Sequence, residues 1–454
     1  MTTTQKSSFD YKSFIKMVAA LVIPMALQNL INVGISSIDV IMLGAVNQTV
    51  LSGASLGSQV FFILNLILFG LSSGASVLIA QYWGKKDIDT IETVFGYAMK
   101  ISCLVGLLFT IVTFIFPTEI MHIFSSESDV IAEGAKYLRV VCLSYVVSAI
   151  SMVYLNTMRC VERVMIATWA YLASMITNII VNGFLIFGLW IFPEIGILGA
   201  AVGTVCARIV ELIIIIFYNI FINKTLPFRF KILLKKDKLL FKDFKKYSLP
   251  VIFNELIWGL GISAVAAIIG HIGKDAVSAN SVVQVVRQLS MVVAFGVSSA
   301  TAITLGKSIG EGKTKEARIY GDKFVLLSFL TGIMGTVVVL ISRPIALEFM
   351  TLTPAAKELL SFMMIAMSVY VIGQSLNTTL IVGVFRSGGD TLYGLFVDIV
   401  FLWCISILSG FVAAFILKLD VHIVYLLLLA DEICKLPFTL IRYKSYKWLR
   451  DITR

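Results

Sequence analysis

Four polar side chains, Gln28, Asn32, Ser36 and Asp39, stand at steps of four, four and three inside a long, largely apolar stretch running from Pro24 to Gly44. On a helix this spacing keeps all four on one face. Amide, hydroxyl and carboxylate oxygens are ligands for a small hard cation, and a carboxyl group is a seat for a proton. A carboxylate in the bilayer costs roughly 2.5–3.5 kcal/mol on the insertion scale, so such a face borders a cavity, a partner or an ion path. The face therefore reads as the lining of an ion site, with sodium or a proton at Asp39; Gln28 and Asn32 are further candidates for contact with substrate or a second proton. Interhelical glue is the structural alternative for the polar positions. Two more acids lie inside apolar runs. Glu255 sits near the inner end of the seventh run, placed to meet a cationic substrate, to take a proton, or to neutralise a neighbour such as Arg287. Asp398 lies inside the eleventh run and is a candidate for the C-terminal half. Arg208 with Glu211, and Asp431 and Glu432 with Lys435, have the spacing of local helical ion pairs.

These residues need elements that hold them in a membrane. The chain has 454 residues, 58% hydrophobic and 14% charged, with a mean hydropathy of +0.94. A soluble protein is closer to half apolar and a quarter charged, so composition points to a polytopic, all-α membrane protein. Apolar runs long enough to cross a bilayer fall at 17–46, 51–81, 93–116, 136–158, 164–190, 196–222, 248–272, 277–306, 319–342, 359–384, 391–417 and 421–441, which predicts 12 transmembrane helices. Pro24 and Pro250 stand in the first turns of the first and seventh runs, where each can kink its helix.

The net charge of +10 does not indicate nucleic acid, because the basic residues cluster in short connections. They fall in the tail (Lys6, Lys12, Lys16), in the second, fourth and eighth loops (Lys85, Lys86; Arg159, Arg163; Lys307, Lys313, Lys315, Arg318), in the sixth connection 223–246, and at the C-terminus. The third loop is acidic (Glu119, Glu127, Asp129, Glu133). The charge rule predicts that both termini and all even-numbered loops are cytoplasmic, with lipid headgroups as a contact for the sixth connection.

The chain repeats itself. A shift of 226 residues carries Pro24 onto Pro250, Gly44 onto Gly270, Gly70 onto Gly296, Ser72 and Ser73 onto Ser298 and Ser299, and Gly84 onto Gly310; with one more residue, Pro117 meets Pro344 and Arg159 meets Arg386. Six spans per half give both halves the same orientation, so the repeat is parallel, about an axis along the membrane normal. This predicts an N-terminal lobe at 1–222, a basic linker at 223–246 and a C-terminal lobe at 247–454. Asp39 does not recur; its counterpart is Val265.

Several stretches carry a resemblance: P-x12-S-I-D-V-I-M-L-G in the first run, G-L-S-S-G-A-S-V-L-I-A-Q-Y-W-G-K-K-D closing the second, N-E-L-I-W-G-L-G in the seventh and R-S-G-G-D-T before the eleventh. Together and in this order the chain resembles the multidrug and toxic compound extrusion (MATE) family, bacterial type, over essentially its whole length. The resemblance implies a V-shaped, two-lobe fold with a central cavity, and export of organic cations or other amphipathic compounds against protons or sodium. It implies a cation or proton site in which the acid of the first helix, Asp39, is joined by two polar residues four apart in the fifth helix, matching Asn178 and Asn182, and by a threonine in the sixth, matching Thr204. The chain departs from the family at Asn182, where aspartate is frequent; the set then holds one carboxylate, and sodium and proton both stay open as the coupling ion. As a check, Asp39, Asn182 and Thr204 each lie about eight residues from the outer end of their runs, roughly 12 Å deep at 1.5 Å per residue.

Enzyme chemistry finds no support. Gly312-Lys313-Thr314 lacks the preceding glycine and strand of a phosphate-binding loop. The six cysteines form no C-x-x-C pair and the three histidines no metal-binding motif. The sequence is thus expected to encode an antiporter of the bacterial plasma membrane working by alternating access, with small amphipathic or cationic substrates and lipids as partners, and with no cofactor, ATP or nucleic acid. The alternatives are a lipid-linked precursor flippase of the same superfamily and a non-transporting membrane scaffold or sensor.

Overall fold

The computed structural model describes residues 11–188, 191–350 and 352–454; Lys6 of the basic N-terminal tail lies outside them. Among the described residues there is no strand. The helices are α1 (Tyr11–Gly44), α2 (Gln48–Lys85), α3 (Ile88–Ile115), α4 (Pro117–Phe124), α5 (Ser128–Val141), α6 (Ser144–Cys160), α7 (Met165–Phe187), α8 (Ile197–Phe221), α9 (Lys238–Ile272), α10 (Lys274–Gly310), α11 (Thr314–Phe349), α12 (Pro354–Phe385), α13 (Thr391–Ile416), α14 (Val421–Leu428) and α15 (Ala430–Lys444). Their starts follow local chemistry. Asn47, Asp87, Asp237, Thr353 and Asp420 each accept a bond from the first free amides of the helix they precede.

Ten of these helices are long and apolar enough to cross a membrane, and they match ten of the twelve runs. The other two runs are not single helices, which the hydropathy pattern does not reveal. The fourth run is α5 and α6, meeting at 53° and together long and apolar enough to cross. The bend has a visible cause: Thr110 on α3 donates to the carbonyl of Cys142 at 3.0 Å, so a side chain stands in the helical ladder. The twelfth is α14 and α15, separated at Leu429, where Ser406 on α13 accepts from the amide of Asp431 at 2.7 Å. Pro117 and Pro344 are likewise not equivalent. Pro117 opens the separate helix α4, whereas Pro344 lies inside the continuous α11.

Two lobes, α1–α8 and α9–α15, meet at the end that carries the basic loops. Small residues let the backbones touch there. A methyl group at Gly84 would strike the Lys307 carbonyl, and one at Gly310 would strike the Gln81 carbonyl. At Gly70 a Cβ would stand 2.6 Å from Ile252 Cα, and at Gly296 it would stand 3.1 Å from the amide of Ala26. Each pair maps onto the other under the shift of 226, since Gln81 corresponds to Lys307 and Ala26 to Ile252. That exchange is what a two-fold axis between the lobes requires. Lys307 also reaches across to Glu162 at 2.8 Å, and Gln81 holds the C-terminal tail through Arg450 and Ile452.

The connection between the lobes is not a free loop. Ile232 packs where Gly96 leaves room, Lys235 sits 2.5 Å from both Asp89 and Glu92, and α9 already begins at Lys238.

Candidate functional site

The N-terminal lobe encloses a cavity of about 770 Å³, closed on one side by Ile262, Ser263 and Ala266 of α9. Three helices bring its charged groups and their neighbours, and α2 adds Ser55, Ser58, Gln59 and Asn65. From α1 come Asn32, Ser36 and Asp39; from α7, Ser174 and Asn178; from α8, Thr204, Arg208 and Glu211. Asn182 stands behind this wall, fully buried, and donates through Nδ2 to Asp39 Oδ1 at 2.7 Å and to Asn178 Oδ1 at 3.3 Å. Thr204 lines the cavity and donates to the carbonyl of Ala200 one turn back at 3.0 Å.

The reason Asn182 reaches Asp39 lies on α8. Its stretch Gly199-Ala-Ala-Val-Gly203 is a small-x-x-x-small pattern, which lets two helices approach closely in a membrane. A Cβ at Gly199 would stand 2.7 Å from the Leu185 carbonyl carbon, and one at Gly203 would collide with Asn182 Oδ1. That pattern was available in the sequence as a sign that α7 and α8 pack backbone to backbone, and sequence reasoning passed over it.

Two carboxylates line the cavity. Glu211 is committed to Arg208 at 2.7 Å, the local pair expected from their spacing. Asp39 makes no ion pair among the described residues; its partner is the neutral amide of Asn182. Asn178 and Thr204 line the same cavity, so the side-chain oxygens on this wall carry one charge from Asp39, a set whose chemistry suits a monovalent hard cation or a proton. Asn182 Oδ1 points away from this set, against Gly203, and has no hydrogen-bond partner among the described residues.

Gln28 belongs elsewhere. It is buried, and its Nε2 bonds Thr168 Oγ1 at 2.9 Å and the Val164 carbonyl at 3.0 Å, tying α1 to α7. It therefore leaves the polar face that Asn32, Ser36 and Asp39 share.

The C-terminal lobe handles its acids differently. Glu255 is paired with Arg386 at 2.7 Å, and not with Arg287, which instead bonds Gln284 and Gln374. Arg386 lies just past the tenth apolar run and the end of α12, where it reaches both Asn254 and Glu255 of α9, while Arg287 is taken up by neutral amides. From Arg386 the bonds continue without a break. Arg386 donates to Asn254 Oδ1 at 2.9 Å, Asn254 donates to Asp398 at 2.7 Å, and Lys435 donates to Asp398 at 3.1 Å. Lys435 also pairs with Glu432 at 2.8 Å, and lies 3.8 Å from Asp431. Asn377 and Thr439 extend the chain, Asn377 donating to Glu432 and Thr439 to Asn377. Glu255 and Asp398 are thus brought into one buried web. Sequence reasoning gives Arg386 and Asn254 no role in this web, although each opens a stretch that carries the family resemblance, R-S-G-G-D-T and N-E-L-I-W-G-L-G.

With this geometry in hand, the comparisons place the chain. The family model MatE matches twice, at residues 24–184 and 250–412. The two matches begin 226 residues apart, the shift of the internal repeat. A probable multidrug resistance protein NorM of Thermotoga maritima is 23% identical over 95% of this chain and 93% of its own length. A probable multidrug resistance protein YoeA of Bacillus subtilis is 24% identical over 80% and 78%. Among solved structures, a MOP superfamily transporter from Pyrococcus furiosus superposes with a TM-score of 0.85 at 17% identity, covering 95% of this chain and 96% of that one. A structure described as the outward-facing conformation of a multidrug resistance MATE family transporter gives the same TM-score at 16% identity, with coverage of 95% and 96%. These likenesses give the fold: an all-α, multi-pass membrane protein of two lobes in a V around a central cavity. The chain belongs to the MatE family, multidrug and toxic compound extrusion, and is a transporter, not an enzyme.

Proposed function

We propose that this protein is a secondary antiporter that exports organic cations and other amphipathic small molecules from a bacterial cell in exchange for protons or sodium. Residues 1–222 and 247–454 act as the two moving bodies, joined by 223–246. Both termini face the cytoplasm of a cell bounded by its plasma membrane, as the basic loops on that side suggest.

One observation carries the reading. Asp39 stands on the wall of a cavity of about 770 Å³ with a neutral partner, Asn182 at 2.7 Å, while the other cavity-lining carboxylate is taken by Arg208. Such a carboxylate has somewhere to hold a coupling ion, with Asn178 and Thr204 as its companions. Cargo that binds one conformation better than the other shifts the equilibrium between them, which is how ion loading can drive substrate release. The family relatives named as multidrug resistance proteins support the class of cargo.

The test uses the purified protein in liposomes with a cationic dye, imposing a sodium gradient at equal pH in one arm and a pH gradient without sodium in the other. The reading expects dye movement driven by at least one gradient. Dye movement indifferent to both would refute it.

A further inference from the structure

We propose that a small monovalent anion of the halide class binds on the pseudo-two-fold axis, between Arg159 and Arg386, when the lobes are closed at their basic end. The two arginines are repeat partners, one from each lobe, and both line a single cavity of about 60 Å³. That room holds several water-sized spheres. Its other polar walls are Ser73 and Ser299, themselves related by the 226 shift, with Ser76, Asn156 and Ser387. No aspartate or glutamate is among the lining residues.

The charge is unequally compensated. Arg386 has Glu255 at 2.7 Å on its far side. Arg159 makes no ion pair among the described residues. Its Nη2 donates to the Tyr171 hydroxyl at 3.4 Å, its guanidinium lies 5.8 Å from the centre of the Tyr171 ring, and its buried Nε has no hydrogen-bond partner among the described residues. An unpaired guanidinium with an orphaned buried N–H is costly in such a setting. An anion would satisfy both, because charge-assisted bonds from arginine are among the strong ones. The hydroxyls add to this. Ser73 accepts from Arg386 Nη1 at 2.9 Å, which leaves its own O–H to donate. Ser76 already donates to the Ser72 carbonyl and accepts from Asn156, and is not needed.

The site exists only while both lobes contribute to it, so an anion bound there favours the closed basic end by mass action. It would act as a regulator of the conformational equilibrium, separate from the cavity that holds Asp39.

The experiment measures thermal unfolding of the purified full-length protein in detergent, with sodium and ionic strength fixed and chloride exchanged for gluconate, an anion too large for the cavity. The midpoint is expected to rise with chloride and saturate. Arg159→Gln should raise the half-saturating chloride concentration about tenfold or more, the effect of removing a charge-assisted bond, and Lys235→Ala, outside both cavities, should leave it unchanged. Equal midpoints in chloride and gluconate for the unaltered protein, or an unchanged half-saturation in Arg159→Gln, would overturn the proposal. A second measurement needs no variant: crystals grown in bromide should show an anomalous peak within hydrogen-bond reach of both arginines, and its absence at saturating bromide would also overturn it.

Discussion

Asp39 and Glu255 stand on equivalent helices of the two lobes, α1 and α9, and live in opposite circumstances. Asp39 faces a cavity and is held by one neutral amide. Glu255 is buried against a guanidinium and belongs to a web that also engages Asp398, Lys435 and Glu432. The repeat supplies the same scaffold to both lobes, down to an amide tether. Gln28 ties α1 to α7, and its partner under the shift, Asn254, ties α9 to α13. The difference lies in the charges added to that scaffold. A carboxylate with its own buried cation is already satisfied and serves the fold; a carboxylate without one keeps capacity for a ligand.

The sharpest way to break this comparison is to remove a buried cation. Lys435→Met strands Asp398, Glu432 and Asp431, and should destabilise the protein by about 3–5 kcal/mol, the cost of leaving a buried charge unpaired. Asp39→Asn, which faces a cavity and retains its shape, should alter stability by less than about 1 kcal/mol. Denaturation of both variants in detergent checks the pair, and equal losses would erase the distinction.

Next in size is Gly203→Ala. The added methyl collides with Asn182. Overpacking should cost about 1–3 kcal/mol and loosen the bond to Asp39, so the ion dependence of dye transport should weaken as well. Stability loss with unaltered ion dependence would show that Asn182 is only packing. Gln28→Leu removes two bonds to α7 and should cost about 1–2 kcal/mol while leaving the ion concentration for half-maximal transport in place; a shift in that concentration would return Gln28 to the ion site. The smallest effect is expected at the lobe connection. Lys235→Ala removes partly exposed ion pairs with Asp89 and Glu92, worth under about 1 kcal/mol, and transport should be unaffected.

Much of the fold was legible because it rests on patterns with a period. Ten of the twelve runs are single apolar helices, an eleventh is a bent pair, and the recurrence of Pro24 at Pro250 and Gly84 at Gly310 holds in the structure. The breaks in the fourth and twelfth runs were not legible. No proline or glycine stands at Cys142 or Leu429; the ladder is interrupted by Thr110 and Ser406, side chains from helices distant in sequence. The site divides in the same way. Asn32, Ser36 and Asp39 share a cavity wall as their spacing predicts, but spacing did not reveal that Gln28 turns away to Thr168, 140 residues further on. Nor did it reveal that Glu255 finds Arg386 across 131 residues. Helical periodicity assigns a face, and only the packing of helices assigns the partner.

The central claim is that Asp39 couples ion movement to export. Its most direct test is Asp39→Asn in liposomes, under the imposed sodium or proton gradient that drives dye transport by the unaltered protein. The account predicts that gradient-driven transport is lost while the variant stays folded and still binds dye. Transport at the original rate would contradict it.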